Sequence, residues 1–158
     1  MAVALAAELV RRGHRVMTIK HGHHPADADR PGSDTWRHFN EGKAERVLIA
    51  SPELRVLFER RVDNTGPEEL ARRYFSDMDI VLVEGFKQAS IPKIEVYRKE
   101  VARAPLYDPS LPNAADWIAI VTDDHKYHAP IRVLHFTDTM WLTVLTALVM
   151  EQAKPLAP

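Results

Sequence analysis

The chain has 158 residues and a mass of 18.0 kDa, the size of one ordinary domain, and its 46% hydrophobic content is enough for a core. A net charge of -1 and an isoelectric point near 6.7 exclude a general attraction to nucleic acid or anionic membranes, so an anion site has to be local. The absence of cysteine excludes disulfides, thiolate nucleophiles and thiolate metal ligands.

Two stretches of the chain, residues 1–10 and residues 140–150, are strongly apolar. The first has no preceding basic region of the kind that opens a secretory signal. The second is shorter than the ~20 residues that a helix needs to cross a bilayer. These features predict a cytoplasmic protein.

The first predicted element is a helix over residues 2–12, rich in alanine, leucine and valine. Gly13 is expected to end it, because glycine readily adopts the left-handed conformation that closes a helix. The helical pattern is already running at Met1 with no capping residue before it, although the first amides of a helix normally need partners. We therefore expect a further segment upstream of this helix.

A strand, a polar loop and a short helix follow. Residues 15–20 (RVMTIK) are typical of a strand, and the turn-forming residues 21–34 predict a loop at its carboxyl end. Ser33 or Asp34 is expected to cap a helix that stops near Gly42. The next predicted elements are a strand at 46–50 and a strand at 54–58, which pairs with it across the turn at 51–53.

The rest of the chain alternates predicted helices and strands. A helix begins with Pro67 and two acids, as helix N-termini prefer, and runs to about Phe75. Residues 80–83 form a continuous apolar run, which is typical of a strand buried on both faces. The remaining predictions are strands at 94–97, 117–121 and 132–136, a proline-rich loop at 105–113, a helix that Thr137 or Asp138 caps and that ends near Gln152, and a frayed tail at 154–158.

Strands that alternate with helices and carry buried β-branched runs predict one α/β domain over residues 1–158, with a mostly parallel sheet flanked by helices. Parallel sheets bind ligands beyond the carboxyl ends of their strands. The loops after Lys20, Val83 and Val121 are therefore the ones in which we expect the chemistry.

The first candidate is the sequence DIVLVEG at residues 79–85, in which Glu84 lies at the tip of a predicted strand. A carboxylate in this place can hold Mg²⁺, directly or through water, or orient a water molecule against a phosphate. The alternative is a solvated glutamate with no role, and the pattern alone does not separate the two.

The second candidate is the loop KHGHHPADADRPGSD at residues 20–34. One interpretation is a site for Zn, Fe or Mn, because imidazole and carboxylate suit these ions; with Glu84 as a base, the protein would be a metal-dependent hydrolase. The other interpretations are a solvated loop held by turn and capping bonds, or a lid over phosphates. The side chains concerned are Lys20, His21, His23, His24, Asp27, Asp29 and Asp34.

Two further groups of residues could contact a nucleotide. Lys87 and Lys93 flank the loop after Glu84 and could bind phosphate as point charges, or merely keep the surface soluble. Asp123 and Asp124 follow a predicted strand, and one carboxylate there could accept both N–H groups of guanine, which adenine cannot offer. A simple aspartate-rich turn is the alternative for this VTDD sequence.

Three blocks of sequence, in order and in register, resemble the molybdopterin-guanine dinucleotide biosynthesis adaptor family, MobB. They are TIKHGHHPADADRPGSDTWRH (18–38), VLIASPE (47–53) and DIVLVEGFKQASIPKIEVYR (79–98). The resemblance, which reaches to about Phe136, implies a P-loop NTPase-like fold, binding of GTP with Mg²⁺, at most a weak GTPase activity, and a homodimer. It also implies that the protein assists the guanylyltransferase MobA, which attaches GMP to molybdopterin.

Carried onto this chain, the resemblance makes Glu84 the acid of the second motif and, with Asp34, a candidate Mg²⁺ ligand. Glu84 is also the one residue to which a catalytic role can be given. The other predicted nucleotide contacts, from the resemblance and from the residues themselves, are Lys20, His21, His23, His24, Asp34, Gly85, Lys87, Lys93, Asp123 and Asp124.

The chain departs from the family pattern at its front. A GxxxxGK[ST] loop, which cradles phosphates in such proteins, occurs nowhere in the 158 residues, and the chain starts inside the helix that would follow it. Two interpretations stay open: a reading frame begun late at an internal methionine, or a short relative that no longer binds nucleotide and serves as an interaction module. In either case we expect weak GTP binding by these residues alone.

Overall fold

The computed structural model describes residues 1–22, 29–61 and 64–155. Within these ranges, helices and strands follow one another in the predicted order. The helices are α1 (Ala2–Arg11), α2 (Asp34–Asn40), α3 (Pro67–Phe75) and α4 (Trp141–Gln152). The strands are β1 (Val16–Lys20), β2 (Arg46–Ala50), β3 (Arg55–Glu59), β4 (Ile80–Glu84), β5 (Lys93–Tyr97), β6 (Trp117–Thr122) and β7 (Arg132–His135).

The described strands form three sheets. β1 pairs in parallel with β4, and β5, β6 and β7 form a three-stranded parallel sheet in that order. β2 and β3 form an antiparallel hairpin across the turn at residues 51–53, as the sequence predicts. The α/β class with mostly parallel strands is confirmed, although the strands are divided among separate sheets.

The chain divides into two compact units, and the hairpin belongs to the smaller one. The larger unit comprises Met1–His21 and Gly66–Pro158, and the smaller unit comprises Gly22–Thr65. The organisation of residues 1–158 as one domain stays a prediction. None of the helices in the described ranges combines the length and the apolarity that crossing a lipid bilayer requires.

α1 is an amphipathic helix that contributes to the core of the larger unit. Leu5 and Leu9, about one turn apart on the same face, are buried in a cluster with Ile80 and Val149. The helix ends as the sequence predicts, because Gly13 adopts a φ of 91° directly after it. One face of α1 therefore belongs to the same core as the first residue of β4.

β6 is the most deeply buried strand of the larger unit. Residues 119–122 have no accessible surface. Successive side chains of a strand point to opposite faces, so alternate residues of β6 pack beside Leu145 of α4 and beside Tyr97 of β5. The prediction of a strand buried on both faces at 117–121 is confirmed for its second half.

In the smaller unit, α2 packs on one face of the hairpin. Ser33 is the observed cap of α2, since its hydroxyl accepts the Trp36 N–H at 3.2 Å. The ring of Phe39 in α2 lies 6.2 Å from the ring of Phe58 in β3, and the guanidinium of Arg60 lies 4.2 Å from the Phe39 centroid. On the outer face of the hairpin, every side chain except that of Glu59 is exposed.

Two predictions are wrong. α4 begins at Trp141 without a side-chain cap, and neither Thr137 nor Asp138 caps it. The preceding residues form turns instead, in which the Asp138 N–H donates to the His135 carbonyl. β4 is fully buried only at Ile80, and its next three residues are half-buried, because within the described ranges β4 pairs with β1 alone.

Asp79 joins the start of β4 to the start of β1. Its carboxylate accepts the Arg15 backbone N–H at 2.7 Å and the Arg15 guanidinium at 2.8 Å. The side chain of Arg15, and then its backbone N–H, hold the pKa of Asp79 at about 2, below its usual 3.8. The two strands are therefore held in register by an ionised carboxylate.

We predict that Asp79→Asn lowers the melting temperature at neutral pH. Because the folded pKa of Asp79 is depressed, its stabilisation is complete above the unfolded pKa of 3.8 and is lost as the pH falls toward about 2. Thermal unfolding of both proteins, measured from about pH 2 to neutral pH, should show curves that converge at the acid end.

Glu100→Gln is the matched control, because Glu100 is exposed and joins no ion pair among the described residues. An Asp79→Asn effect that equals the control, or that does not change with pH, would show that this carboxylate does not hold the strands.

Candidate functional site

The carboxyl ends of β1 and β4 meet. The parallel register pairs Lys20 with Glu84, the last residue of each strand, and their side chains form an ion pair. Both side chains are largely exposed, at 66% for Lys20 and 58% for Glu84. The structure thus brings together the two residues that the sequence places at the ends of separate strands.

His21 and Gly85 continue this pairing one step beyond the strands. The His21 N–H donates to the Glu84 carbonyl at 2.8 Å. Gly85 adopts a φ of 96°, and a Cβ at this position would lie 2.9 Å from both the Cβ and the carbonyl oxygen of His21. Only glycine allows the two chains to approach so closely here.

Phe86 is the second consecutive residue with a left-handed backbone. Its φ is 48°, which is unusual for a bulky side chain. Its ring centroid lies 4.3 Å from that of His21, at an angle of 34° between the planes. Strain of this kind clusters at functional sites. We call Lys20, His21, Glu84, Gly85 and Phe86 the β1–β4 rim.

The β1–β4 rim combines groups that bind ligands of opposite charge. The Lys20 ammonium offers further donors to an anion, and the Glu84 carboxylate has further acceptor positions for a hard cation or its bound water. Because the ion pair is exposed, it contributes little by itself. Replacing it by a phosphate on Lys20 and Mg²⁺ on Glu84 would keep the local charges balanced.

The two other predicted lysines differ in their surroundings. Lys87 is exposed in the loop that follows the rim. Lys93 lies at the amino end of β5, where its Nζ is 2.9 Å from the Asp116 carboxylate and 4.9 Å from the ring centroid of Trp117. No contact within the described ranges joins Lys93 to the rim, so its place at the mouth of a nucleotide site stays a prediction.

Asp123 and Asp124 lie at the carboxyl end of β6 and already have basic partners. Asp123 accepts the Lys99 N–H at 3.1 Å and the Arg98 guanidinium at 3.2 Å. The Lys99 N–H, together with the Arg98 guanidinium, holds the pKa of Asp123 below its usual value. Burial acts in the opposite direction but is outweighed. Asp124 lies 3.5 Å from the Lys99 ammonium. Either carboxylate would have to give up a present partner before it could accept the N–H groups of guanine.

Three of the candidate residues in the histidine-rich loop lie outside the described ranges: His23, His24 and Asp27. Asp29, with a φ of 64°, accepts the Arg30 N–H and the Ser33 hydroxyl at 2.7 Å each, as in a structural turn. Asp34 is the first residue of α2, in the smaller unit, and its place beside Glu84 stays a prediction. The described residues include no group of three or more histidine or acidic side chains able to hold a metal ion, so nothing in them favours a metal-dependent hydrolase.

Phe86 and Glu95 were not identified from the sequence. Glu95 is only 9% exposed, and its carboxylate accepts the N–H groups of Leu106 at 2.5 Å and Tyr107 at 2.9 Å. It thereby fastens the proline-rich loop to β5. The sequence contains one signal of this burial: the alternation in KIEVY puts Glu95 on the same face as Tyr97.

Comparisons of the sequence with known proteins all point to one family. The sequence profile of the family described as MobB, Molybdopterin guanine dinucleotide synthesis protein B, matches residues 2–123. The molybdopterin-guanine dinucleotide biosynthesis adapter protein of Haemophilus influenzae is 37% identical over 100 residues, which are 63% of this chain and 56% of that protein. The protein of the same name from Escherichia coli is 35% identical over 107 residues, which are 64% of this chain and 59% of that protein. The chain therefore spans little more than half the length of these curated relatives.

Solved structures share the fold. The crystal structure of Bacillus subtilis MobB matches with a TM-score of 0.66 and 20% identity, over 97% of this chain and 88% of that chain. The MobB protein homolog from Bacillus stearothermophilus matches with a TM-score of 0.64 and 21% identity, over 95% of this chain and 88% of that chain. This likeness confirms the predicted P-loop NTPase-like α/β fold.

We predict that Gly85→Ala lowers the free energy of unfolding by at least ~1–2 kcal/mol, the cost of a left-handed backbone for a residue with a side chain. The added Cβ would also meet the His21 carbonyl at 2.9 Å, and a backbone atom cannot move aside as a flexible side chain can. Chemical denaturation measures the change. Gly22→Ala is the control, because no described atom lies within 4 Å of a Cβ there. Equal stability of the two variants would rule out the close approach at the rim.

Proposed function

The chain belongs to the MobB family, molybdopterin guanine dinucleotide synthesis protein B, and on that premise we propose that it is an accessory protein in the biosynthesis of the molybdenum cofactor. The observation that carries the proposal is the family match over residues 2–123, a range that includes the β1–β4 rim and Asp123. The curated relatives, which are named biosynthesis adapter proteins, support it.

We propose further that the protein assists the guanylyltransferase that joins GMP to molybdopterin, and that it does so in the cytoplasm as a homodimer. The word adapter in the names of the relatives supports contact with another protein of the same pathway. With a net charge of -1, the chain has no general attraction for nucleotides, so a nucleotide would have to be bound by local groups.

The groups of the rim fit GTP with Mg²⁺. Bound Mg²⁺ would neutralise part of the triphosphate charge, and a carboxylate such as Glu84 is the type of ligand that it prefers. Lys20 would turn from Glu84 to a phosphate. His21, which is held by the Glu84 carbonyl and covered by the Phe86 ring, would present its imidazole on the same side. His23, His24, Asp34, Lys87 and Lys93 belong to this proposal as the predicted further contacts.

The turn after β6 is the proposed site for the guanine base. Asp123 or Asp124 would accept the two N–H groups of guanine after exchanging Lys99 or Arg98. The Lys99 N–H and the Arg98 guanidinium lower the pKa of Asp123 and so favour its ionised state, which is the state that such acceptance needs.

The affinity of these residues for Mg·GTP is proposed to be low. The 158 residues contain no GxxxxGK[ST] loop, whose amides and lysine supply most of the phosphate binding in P-loop proteins. We therefore assign the chain at most a weak GTPase activity and place its contribution in contact with the guanylyltransferase.

We predict that this chain raises the rate at which a purified guanylyltransferase forms the dinucleotide from molybdopterin and Mg·GTP. Chromatography of the product over a series of Mg²⁺ concentrations measures the effect. Glu84→Gln keeps the shape of the side chain but loses its charge, so half-maximal stimulation should need about tenfold more Mg²⁺.

Glu100→Gln is the control for the loss of one exposed negative charge. A folded chain that never changes the rate would refute the accessory role. Stimulation with a wild-type response in Glu84→Gln would leave the role intact and remove Glu84 from the metal site.

A further inference from the structure

Two histidine rings stack at the carboxyl end of the three-stranded sheet. The ring centroids of His125 and His135 lie 4.9 Å apart, and the angle between the two planes is 26°. His135 is the last residue of β7 and pairs with Thr122, the last residue of β6. The turn that contains Asp123 and Asp124 begins at the next residue, so the stack lies beside it. Parallel sheets bind ligands at this end of their strands.

His135 is the inner half of the stack. Its side chain is half-buried, and its Nδ1 atom is buried without a hydrogen-bond partner in the part of the chain that the structure describes. The Phe136 N–H donates to the Thr122 carbonyl at 3.1 Å, which continues the contact between β6 and β7 past His135. Packing and the strand pairing, rather than a bond from Nδ1, therefore hold this ring behind His125.

His125 is the outer half of the stack. His135 covers one face of its ring, and the Thr137 hydroxyl lies 3.4 Å from its Nε2 atom. The turn before it is also held, because the Asp124 carboxylate accepts the Lys126 N–H at 3.1 Å. His125 is nevertheless exposed. One face of its ring is thus open to solvent, while its orientation is set before any ligand arrives.

A stack of two flat rings fits a flat ligand better than a metal ion. The lone pairs of imidazole lie in the plane of the ring, so two nearly parallel rings direct them side by side and not toward a common point. Among the described residues there is also no group of three histidine or acidic side chains that could hold a metal. A nucleobase, by contrast, binds to the face of a histidine ring. The shape of the stack therefore favours a planar aromatic ligand.

We propose that the exposed face of His125 stacks on the purine ring of a bound nucleotide, with His135 behind it as a positioning residue. The inference rests on the guanine site proposed above at Asp123 and Asp124, and it adds the surface on which the base lies. Because His125 follows Asp124 directly in the chain, one turn would contact both the face and the edge of the base.

The two kinds of contact have different consequences for binding. Every nucleobase has an aromatic face, so stacking on His125 strengthens binding without choosing among bases. The edges of the bases differ, and a carboxylate can accept two N–H groups only from guanine, not from adenine. A ring that is fixed before binding also loses little conformational entropy when the base arrives. His125 should therefore supply affinity, and Asp123 or Asp124 should supply the choice of guanine.

Substitutions at His125 separate stacking from other roles. NMR titration at millimolar nucleotide measures the weak affinities for Mg·GTP and Mg·ATP. His125→Ala should weaken the binding of both by the same factor, about tenfold, whereas His125→Phe should bind both nearly as the wild type does, because a phenyl ring also stacks. Asp123→Asn combined with Asp124→Asn should weaken the binding of GTP alone. His128→Ala is the matched control, since His128 is an exposed histidine between β6 and β7.

The chemical shifts of the histidine ring protons give a second measurement, which is made on the wild-type chain. A purine that stacks on His125 shifts the ring protons of this residue upfield through the ring current of the base. The shift should be smaller at His135, which lies behind His125, and absent at His128. Spectra of His125→Phe and His135→Phe assign the signals.

Two substitutions at His135 test its positioning role. Loss of the ring leaves His125 without support, so His135→Ala should lower the affinity for both nucleotides and reduce the upfield shift at His125. Phenylalanine supplies a flat ring and has no nitrogen to leave unpaired, so His135→Phe should restore both. A lower melting temperature in His135→Ala with an unchanged shift at His125 would contradict the positioning role.

Three outcomes overturn the inference. They are a His125→Ala variant with unchanged affinity for GTP, a loss of affinity in His125→Phe as large as in His125→Ala, and nucleotide binding without an upfield shift at His125. A chain whose spectra respond to neither nucleotide overturns both the inference and the nucleotide binding proposed above. None of these outcomes changes the stimulation of the guanylyltransferase, which tests the accessory role separately.

Discussion

The parallel register between β1 and β4 is the constraint on which the candidate site depends. Because the two strands start together at the Arg15–Asp79 contact, they end together at Lys20 and Glu84. A slip of one residue would turn the alternating side chains of one strand to the other face and would separate the ammonium from the carboxylate. The close approach at Gly85 carries the same register one residue past the strands. The chemistry of the rim is thus a consequence of strand pairing.

This part of the site was predictable from the sequence because it follows from local patterns and one general rule. The apolar run before Glu84 identifies a strand that ends in an acid, and RVMTIK identifies a strand that ends in Lys20. Parallel strands in α/β folds place their carboxyl ends at the same edge. The hairpin of β2 and β3 was predictable for a similar reason, since two short apolar runs flank the turn-forming Ser51 and Pro52.

The parts that escaped prediction depend on partners that are distant in the sequence. Nothing near Phe86 shows that its backbone will be left-handed, because the His21 ring against which it lies is far away along the chain. The burial of Glu95 depends on two amides in a loop that follows it by more than ten residues. The partners of Asp123 were not predicted for the same reason, since Lys99 and Arg98 come from the end of a neighbouring strand. The start of α4 was misplaced because turns use the Asp138 amide before the helix begins.

The two sets of paired strands show how the same alternation yields different kinds of surface. In the β1–β4 pair, opposite charges meet where the strands end, so their partners can be exchanged for a ligand without disturbing a ladder. In the β2–β3 hairpin, opposite charges meet across the ladder itself. The Glu59 carboxylate lies 2.7 Å from Arg46 of β2 and its side chain is only 11% exposed, so an exchange of its partner would disturb the hairpin. A charged pair at the ends of two strands is therefore available to a ligand, whereas a charged pair inside a ladder stabilises the fold.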